Sequence, residues 1–116
     1  GFQFFNGDNS DAISAVDGLK MYAKKVTIKG YKFGDRKTSI TNITIPQFAG
    51  AKNVWITATP SLRAVKDTNI YCHVVNDPSK GDNSYTISIN STAITTASQA
   101  KTATLDINII AFAIYS

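Results

Sequence analysis

The sequence predicts an all-β fold, a single-domain antiparallel β-sandwich of about seven to nine strands that spans residues 1–116. All eight acidic residues are Asp and none is Glu, and Asp favours turns and caps over helix interiors. Apolar residues recur at alternate positions along most of the chain, which is the period of a strand with one buried face. Turn-forming residues separate these stretches, and a hydrophobic content of 43% is enough for one core and argues against disorder.

The beginning of the chain predicts two short strands. Residues 1–5 form the first, and Asn6-Gly7 supplies a tight turn because both residue types tolerate a positive φ. Residues 12–16 form the second, which Asp17-Gly18 closes with another turn signal.

A longer strand follows at residues 19–33, and its apolar pattern changes phase. Apolar residues stand at odd positions as far as Ala23 and at even positions from Val26. One residue too many therefore lies near Lys24 and Lys25, and a β-bulge or a strand break there is expected to return the apolar side chains to one face.

Four further strands are predicted in the middle of the chain, at residues 38–45, 53–59, 69–75 and 85–89. Pro46 and Pro60 are expected to end the first two, since proline cannot donate to a ladder. Phe48 is expected to plug the core from the connection between them. Residues 62–65 suit either a loop or a short strand, and residues 76–83 predict an exposed loop.

The terminal stretch, residues 103–115, predicts the central strand, preceded by a polar connection at residues 90–102. Its first half alternates, and its second half is apolar at consecutive positions, so we expect both faces to be covered there. Ile109 and Phe112 are expected in the core on opposite faces. A buried helix is the alternative, but the richness in Ile and Phe and the period of the first half favour a strand. The chain is expected to end in its own core or at another subunit.

The sequence predicts no catalytic, cofactor-binding or metal site. Cys72 and His73 are neighbours on a predicted strand, so their side chains should point to opposite faces and cannot form a catalytic pair. Asp8, Asp11 and Asp17 lack the order and the closing Glu of a calcium-binding EF-hand loop and suit turns instead. No apolar run is long enough to span a bilayer, so membrane insertion is not expected.

Basic residues concentrate between positions 20 and 37, where Lys24 and Lys29 are candidate contacts. They suit a solvated strand edge, because lysine discourages edge-to-edge pairing. Contact with a polyanion or a phosphorylated surface is the functional alternative. Nucleic acid is not an expected partner.

Aromatic residues are the other candidate contacts. Trp55, Tyr22, Tyr31 and Tyr71 are expected on the face of a strand opposite its apolar side. A second sheet or a neighbouring subunit would cover them there, and exposed rings that stack on sugars are the alternative.

Four stretches resemble small tail and tail-tip proteins of bacteriophages: GFQFFNGDNSDAIS at the start, NVWITATPSLR and YTISI in the middle, and DINIIAFAIYS at the end. The resemblance implies a non-enzymatic β-sandwich that is made in the host cytoplasm and resides in the virion, with other virion proteins or further copies of itself as partners. It assigns no catalytic residue. The alternative function is a carbohydrate-binding module that recognises a bacterial surface glycan.

Overall fold

The computed structural model describes residues 11–16, 18–33, 41–66, 68–91 and 101–116. The strand and turn predicted within residues 1–10 lie outside the described residues, as does most of the connection predicted at residues 90–102. Within the described ranges the chain is almost entirely β, with one short 3₁₀ turn at Pro78–Lys80. The strands are β1 Asp11–Val16, β2 Leu19–Phe33, β3 Thr41–Thr44, β4 Asn53–Leu62, β5 Ile70–Asn76, β6 Tyr85–Ser91 and β7 Lys101–Ile114.

These strands form two antiparallel sheets. The larger sheet has the order β1-β2-β7-β4, and the smaller has the order β3-β6-β5. The terminal strand β7 therefore pairs on both sides, with β2 and with β4, over most of its length. This confirms that the last stretch of the sequence is a central strand, which is consistent with its content of Ile and Phe.

The apolar core joins side chains from both sheets. Even-numbered residues of β2 before its bulge and odd-numbered residues of β7 point to one side of the larger sheet, which we call the inner face. Ile87 and Ile89 of β6 belong to the same buried cluster, and Phe48 packs edge-on against Tyr22 with ring centroids 6.3 Å apart. Phe48 is thus the core plug that the sequence predicts. The buried apolar residues are Tyr22, Tyr31, Phe33, Ile45, Phe48, Ile87, Ile89, Leu105, Ile107, Ile109, Ala111 and Ala113.

Strand β2 contains a bulge, but five residues later than the sequence indicates. The register with β7 is unbroken from Leu19 to Ile28 and shifts between Ile28 and Tyr31. Gly30 has a φ of +70° there, a conformation that glycine adopts without a steric penalty. The prediction of a bulge near Lys24 was wrong because it assumed one apolar face, whereas the first half of β2 carries apolar residues on both faces.

Proline in β4 does not end the strand. Pro60 lies opposite Ile107, and pairing continues to Leu62. The prediction that Pro60 is a terminator was wrong because β4 lies at the edge of its sheet, where a missing N–H can face away from the neighbouring strand. Pro46, in contrast, follows β3 as expected.

One face of the larger sheet stays uncovered within the described chain. Ile109 is 1% exposed on the inner face, whereas Ile110 and Phe112 are 41% and 37% exposed on the opposite, outer face. Ile109 and Phe112 do lie on opposite faces, but the prediction that Phe112 is a core residue was wrong. The run of apolar residues results from an inner face that packs and an outer face that does not.

Candidate functional site

An apolar patch on the outer face of the larger sheet is the main candidate site. Met21, Phe112 and Trp55 lie directly opposite one another on β2, β7 and β4, and Ile110 lies in the next row. Trp55 is 54% exposed and Met21 is half-buried. We call these four residues the outer patch. Because three of them share one cross-strand row, their side chains form a continuous band across the sheet.

Strand alternation produces this arrangement. The even residues of β4 pack toward the core, so the odd residues, Trp55 among them, are exposed. On β7 the odd residues pack inward, which places Ile110 and Phe112 outward. Large exposed apolar residues that cluster on one flat face are unusual for a soluble monomer and typically mark a contact surface.

Further along the same face, an ion pair joins three separate segments. Arg63 donates from Nε to Oδ2 of Asp106 over 2.8 Å and from Nη2 to Oδ1 over 3.1 Å. Thr27 on β2 donates its hydroxyl to the same Oδ1 over 2.7 Å. The backbone N–H of Arg63 also donates to the Thr104 carbonyl. The cluster therefore connects β2, β7 and the turn after β4.

The environment of Asp106 keeps its carboxyl group ionised. The hydrogen bond from Arg63 and then that from Thr27 lower its pKa from 3.8 to about 2, against the opposing effect of burial. A carboxylate with these partners carries no proton at neutral pH and cannot serve as a general acid there. The arrangement suits a structural clamp. The sequence alone does not indicate this clamp; the available signal is that Asp106 is the single charged residue between Thr102 and Ile114.

The structure separates the residues that the sequence nominated as contacts. Trp55 is in the outer patch, and Tyr71 is 52% exposed on the smaller sheet. Tyr31 is 3% exposed, so its predicted outward orientation was wrong. The extra residue in the β2 bulge reverses the alternation and turns Tyr31 inward.

Tyr22, which was also expected to point outward, is fully buried. The register of β2 is unbroken from Leu19 to Ile28, so Tyr22 shares the inner face with Val26 and Ile28.

The basic segment lies only partly inside the sheet. β1 pairs with β2 from Leu19 to Lys24, so the edge interpretation was wrong for Lys20 and Lys24. Within the described residues the rest of β2 pairs with β7 alone, so the edge interpretation stays a prediction for Lys29 and Lys32. Lys24 is half-buried on the inner face, opposite Ile109, whereas Lys29 is exposed beside the bulge. Among the described residues, alternation thus distributes the lysines of β2 over both faces of the sheet.

Cys72 and His73 point in opposite directions, as predicted. Cys72 packs against the core with Ile70 and Val74, and His73 is exposed. Burial raises the pKa of the Cys72 thiol. A protonated thiol that faces away from the neighbouring imidazole is a poor nucleophile.

A half-open cavity of about 240 Å³ lies beside the 3₁₀ turn. Several of its polar groups already have partners. Asp77 accepts a hydrogen bond from the Ser79 N–H, and Ser84 donates to the Lys80 carbonyl. These hydrogen bonds join residues of the same loop, so the polar side chains of Asp77 and Ser84 stabilise the loop and do not indicate a ligand site.

Within the described ranges, no group of three or more His, Cys or Asp residues is placed to hold a metal ion. The same part of the chain contains no helix with the length and apolar character needed to cross a bilayer. The fold thus defines a β-rich protein with an uncovered apolar sheet face. Neither family models, curated proteins nor solved structures give a match to this chain.

Proposed function

We propose that this protein is a non-enzymatic assembly module whose outer patch is covered by a neighbouring protein subunit. The observation that carries the proposal is the cross-strand row Met21–Phe112–Trp55, which presents large apolar side chains on a regular sheet. Aromatic residues and Met are enriched in protein interfaces, and Trp is prominent among the residues that dominate binding energy.

The rest of the outer face supports a protein partner. Because the carboxylate of Asp106 forms an ion pair with Arg63, the positive guanidinium compensates its negative charge, and it contributes little to binding a charged ligand. Exposed polar residues such as Asn108 lie between that ion pair and the outer patch. An apolar centre with a polar margin is the usual composition of a protein–protein interface.

We further infer that the two sheets stack as a β-sandwich. Supporting this, the buried residues of β6 and β7 belong to one core cluster, and Phe48 reaches Tyr22 from the connection between the sheets. Together with the resemblance to phage tail and tail-tip proteins, this architecture leads us to propose a virion component as the specific role.

Trp55 provides a direct assay, because it is the only tryptophan in the chain. The free subunit should show red-shifted emission that iodide quenches, and binding of a partner subunit should shift the emission to the blue and reduce quenching. Two probes are used: the protein itself at high concentration, and dissociated tail proteins of the bacteriophage whose genome encodes this chain.

Phe112→Ser should abolish the emission change, because it removes the centre of the row while leaving the reporter in place. Tyr71→Ser is the control, since it also removes an exposed aromatic side chain but on the smaller sheet; Tyr71 is 52% exposed and Phe112 is 37% exposed. Trp55 emission that stays red-shifted and fully quenchable with every probe, together with absence of the chain from purified particles, would contradict the proposal.

Glycan binding is the second candidate function. One observation favours it: the half-exposed Trp55 ring lies on an edge strand between the exposed polar residues Asn53 and Thr57 of the same face. A sugar could stack on the indole and form hydrogen bonds with these neighbours. A glycan array separates the candidates, because binding lost in Trp55→Ala but retained in Phe112→Ser would indicate a sugar site.

A further inference from the structure

The outer face of the larger sheet changes character along β7. The second half of this strand contributes Ile110 and Phe112 to the outer patch, whereas the outward positions of its first half, and of the parts of β2 and β4 beside it, are polar or basic. We call this second region the polar half. Its outward hydroxyl and amide side chains include Thr59, Ser61, Thr102, Thr104 and Asn108. Within the described residues, no large apolar side chain is exposed there.

Three lysines of β2 follow the polar half from end to end. Lys25 and Lys32 lie opposite outward residues of β7, and Lys32 is exposed between two inward-facing aromatic residues. Lys29 is exposed at the bulge between them. We call these three residues the lysine row. At about 3.3 Å per residue, the row is about 20 Å long.

The charges of the polar half are unbalanced. Asp106 is the only acid among its described outward residues, and Arg63, whose side chain is 57% exposed, compensates that charge. Asp77 and Asp82 belong to the loop that includes the 3₁₀ turn, and this loop bonds to the chain just before β4. The start of β4 pairs with the end of β7, so these two acids lie at the opposite end of the larger sheet. The lysine row therefore leaves the polar half with an excess of positive charge.

We propose that the polar half binds a linear acidic polysaccharide, with the anionic groups of the sugar chain along the lysine row. The excess positive charge is complementary to such a polymer and would attract it from a distance. Threonine, serine and asparagine side chains both donate and accept hydrogen bonds, so those beside the row can bind the sugar hydroxyls. A row about 20 Å long suits an extended polymer better than a single small anion.

Other charged partners fit the polar half less well. Single-stranded nucleic acids are typically held by aromatic side chains on which the bases stack, and no such side chain is exposed in the described polar half. A protein partner requires an apolar centre, and on this face the apolar centre is the outer patch. The inference therefore assigns a second surface and does not rest on the proposed function.

Fluorescence anisotropy with labelled polysaccharides at about 50 mM salt tests the proposal. Polygalacturonate carries carboxylates, heparin carries mainly sulfates, and dextran is the uncharged probe. The parent protein should bind at least one of the two acidic chains, which identifies the preferred anionic group, and should not bind dextran. Parent protein that binds neither acidic chain, or that binds dextran equally well, overturns the proposal.

Substitution in the lysine row locates the site. Lys29→Gln combined with Lys32→Gln should raise the Kd about tenfold and weaken its dependence on salt, because fewer counterions are released on binding. Lys52→Gln combined with Lys80→Gln is the matched control, since both lysines are exposed at the opposite end of the sheet and the net charge falls equally. Equal losses of affinity in the two double variants would refute the site, because overall charge would then explain the binding.

Two further measurements separate this site from the alternatives. Single-stranded oligo(dT) should bind more weakly than the preferred polysaccharide, and equal or tighter binding refutes a polysaccharide as the ligand. Binding at the polar half should survive Trp55→Ala and leave the emission of Trp55 in the parent protein red-shifted. Loss of polysaccharide binding in Trp55→Ala, together with full binding in the Lys29→Gln/Lys32→Gln variant, would place the sugar at the outer patch and refute the inference.

Discussion

Ile109 and Ile110 are adjacent on the central strand β7 but differ sharply in burial. Ile109 is 1% exposed and Ile110 is 41% exposed. Replacing each with Ala removes the same atoms from the same strand, so the change in β-propensity is similar in the two variants. The comparison therefore isolates the difference between the inner and the outer face.

The expected losses of unfolding free energy follow from burial. Ile109→Ala removes fully packed atoms and leaves a cavity, which costs about 2–5 kcal/mol. Full burial of an isoleucine is worth about 1.5–3 kcal/mol, and Ile110 achieves only part of it without enclosing a cavity, so Ile110→Ala should cost about 1 kcal/mol. For a chain of this size, each kcal/mol lowers Tm by about 4 °C.

Urea unfolding at low protein concentration, followed by circular dichroism, measures both variants in the unassembled state. Equal losses would mean that the outer face is covered within the folded chain. A larger loss for Ile110 than for Ile109 would mean that the pairing of β7 is shifted by one residue, because such a shift exchanges the two faces. Either result would refute the description of the outer patch.

Three further predictions concern other parts of the chain. The pKa of Asp106 is lowered in the folded state from the ordinary value of 3.8 to about 2. The ionised carboxylate should therefore stabilise the fold above pH 3.8, and this stabilisation should be lost as the pH falls from 3.8 through about 2. Over that pH range the urea midpoint of the parent protein should fall more steeply than that of Asp106→Asn. Gly30→Ala should cost about 1–2 kcal/mol because Gly30 has a positive φ, with Gly30→Asn less costly and the adjacent Lys29→Ala within about 0.5 kcal/mol in thermal melts. Cys72 should react with iodoacetamide slowly in the folded protein and rapidly in urea, since burial raises the pKa of its thiol; equal rates would contradict its packing against the core.

The fold class was predictable because local alternation is strong in several strands. Ile87 and Ile89 in β6, and Ile70, Cys72 and Val74 in β5, face the core as the pattern predicts. These strands have one clearly apolar side, so period two identifies the buried face without further information.

Errors arose where both sides of a strand are apolar. In β2, the apolar pattern predicts Met21 and Ala23 in the core, although both lie on the outer face, and it therefore predicts an irregularity near Lys24 and turns Tyr22 outward. Tyr31 is misplaced because the bulge lies at Lys29 and Gly30 instead. In β7, Phe112 was assigned to the core for the same reason. A periodicity argument cannot distinguish a strand buried on both faces from one whose second apolar face is exposed.

Long-range contacts were also beyond the sequence. Arg63 and Asp106 are 43 positions apart, and only the pairing of β4 with β7 brings them together. Trp55, by contrast, was expected to point away from the apolar side of its strand, and it does, because β4 has a single phase from Val54 to Leu62.

The outward residues of the larger sheet show that the outer patch is not required by the fold. β7 carries Asn108 at an outward position, and β4 carries Thr57 and Thr59 at outward positions, all within regular pairing. Polar residues are therefore compatible with this face, and threonine has a high strand propensity. Ile110→Thr combined with Phe112→Thr should consequently fold with a loss of about 2 kcal/mol or less, while abolishing the partner-dependent change in Trp55 emission. If the double variant fails to fold, the apolar residues serve the stability of the subunit; if it folds and the emission change persists, a partner does not recognise them.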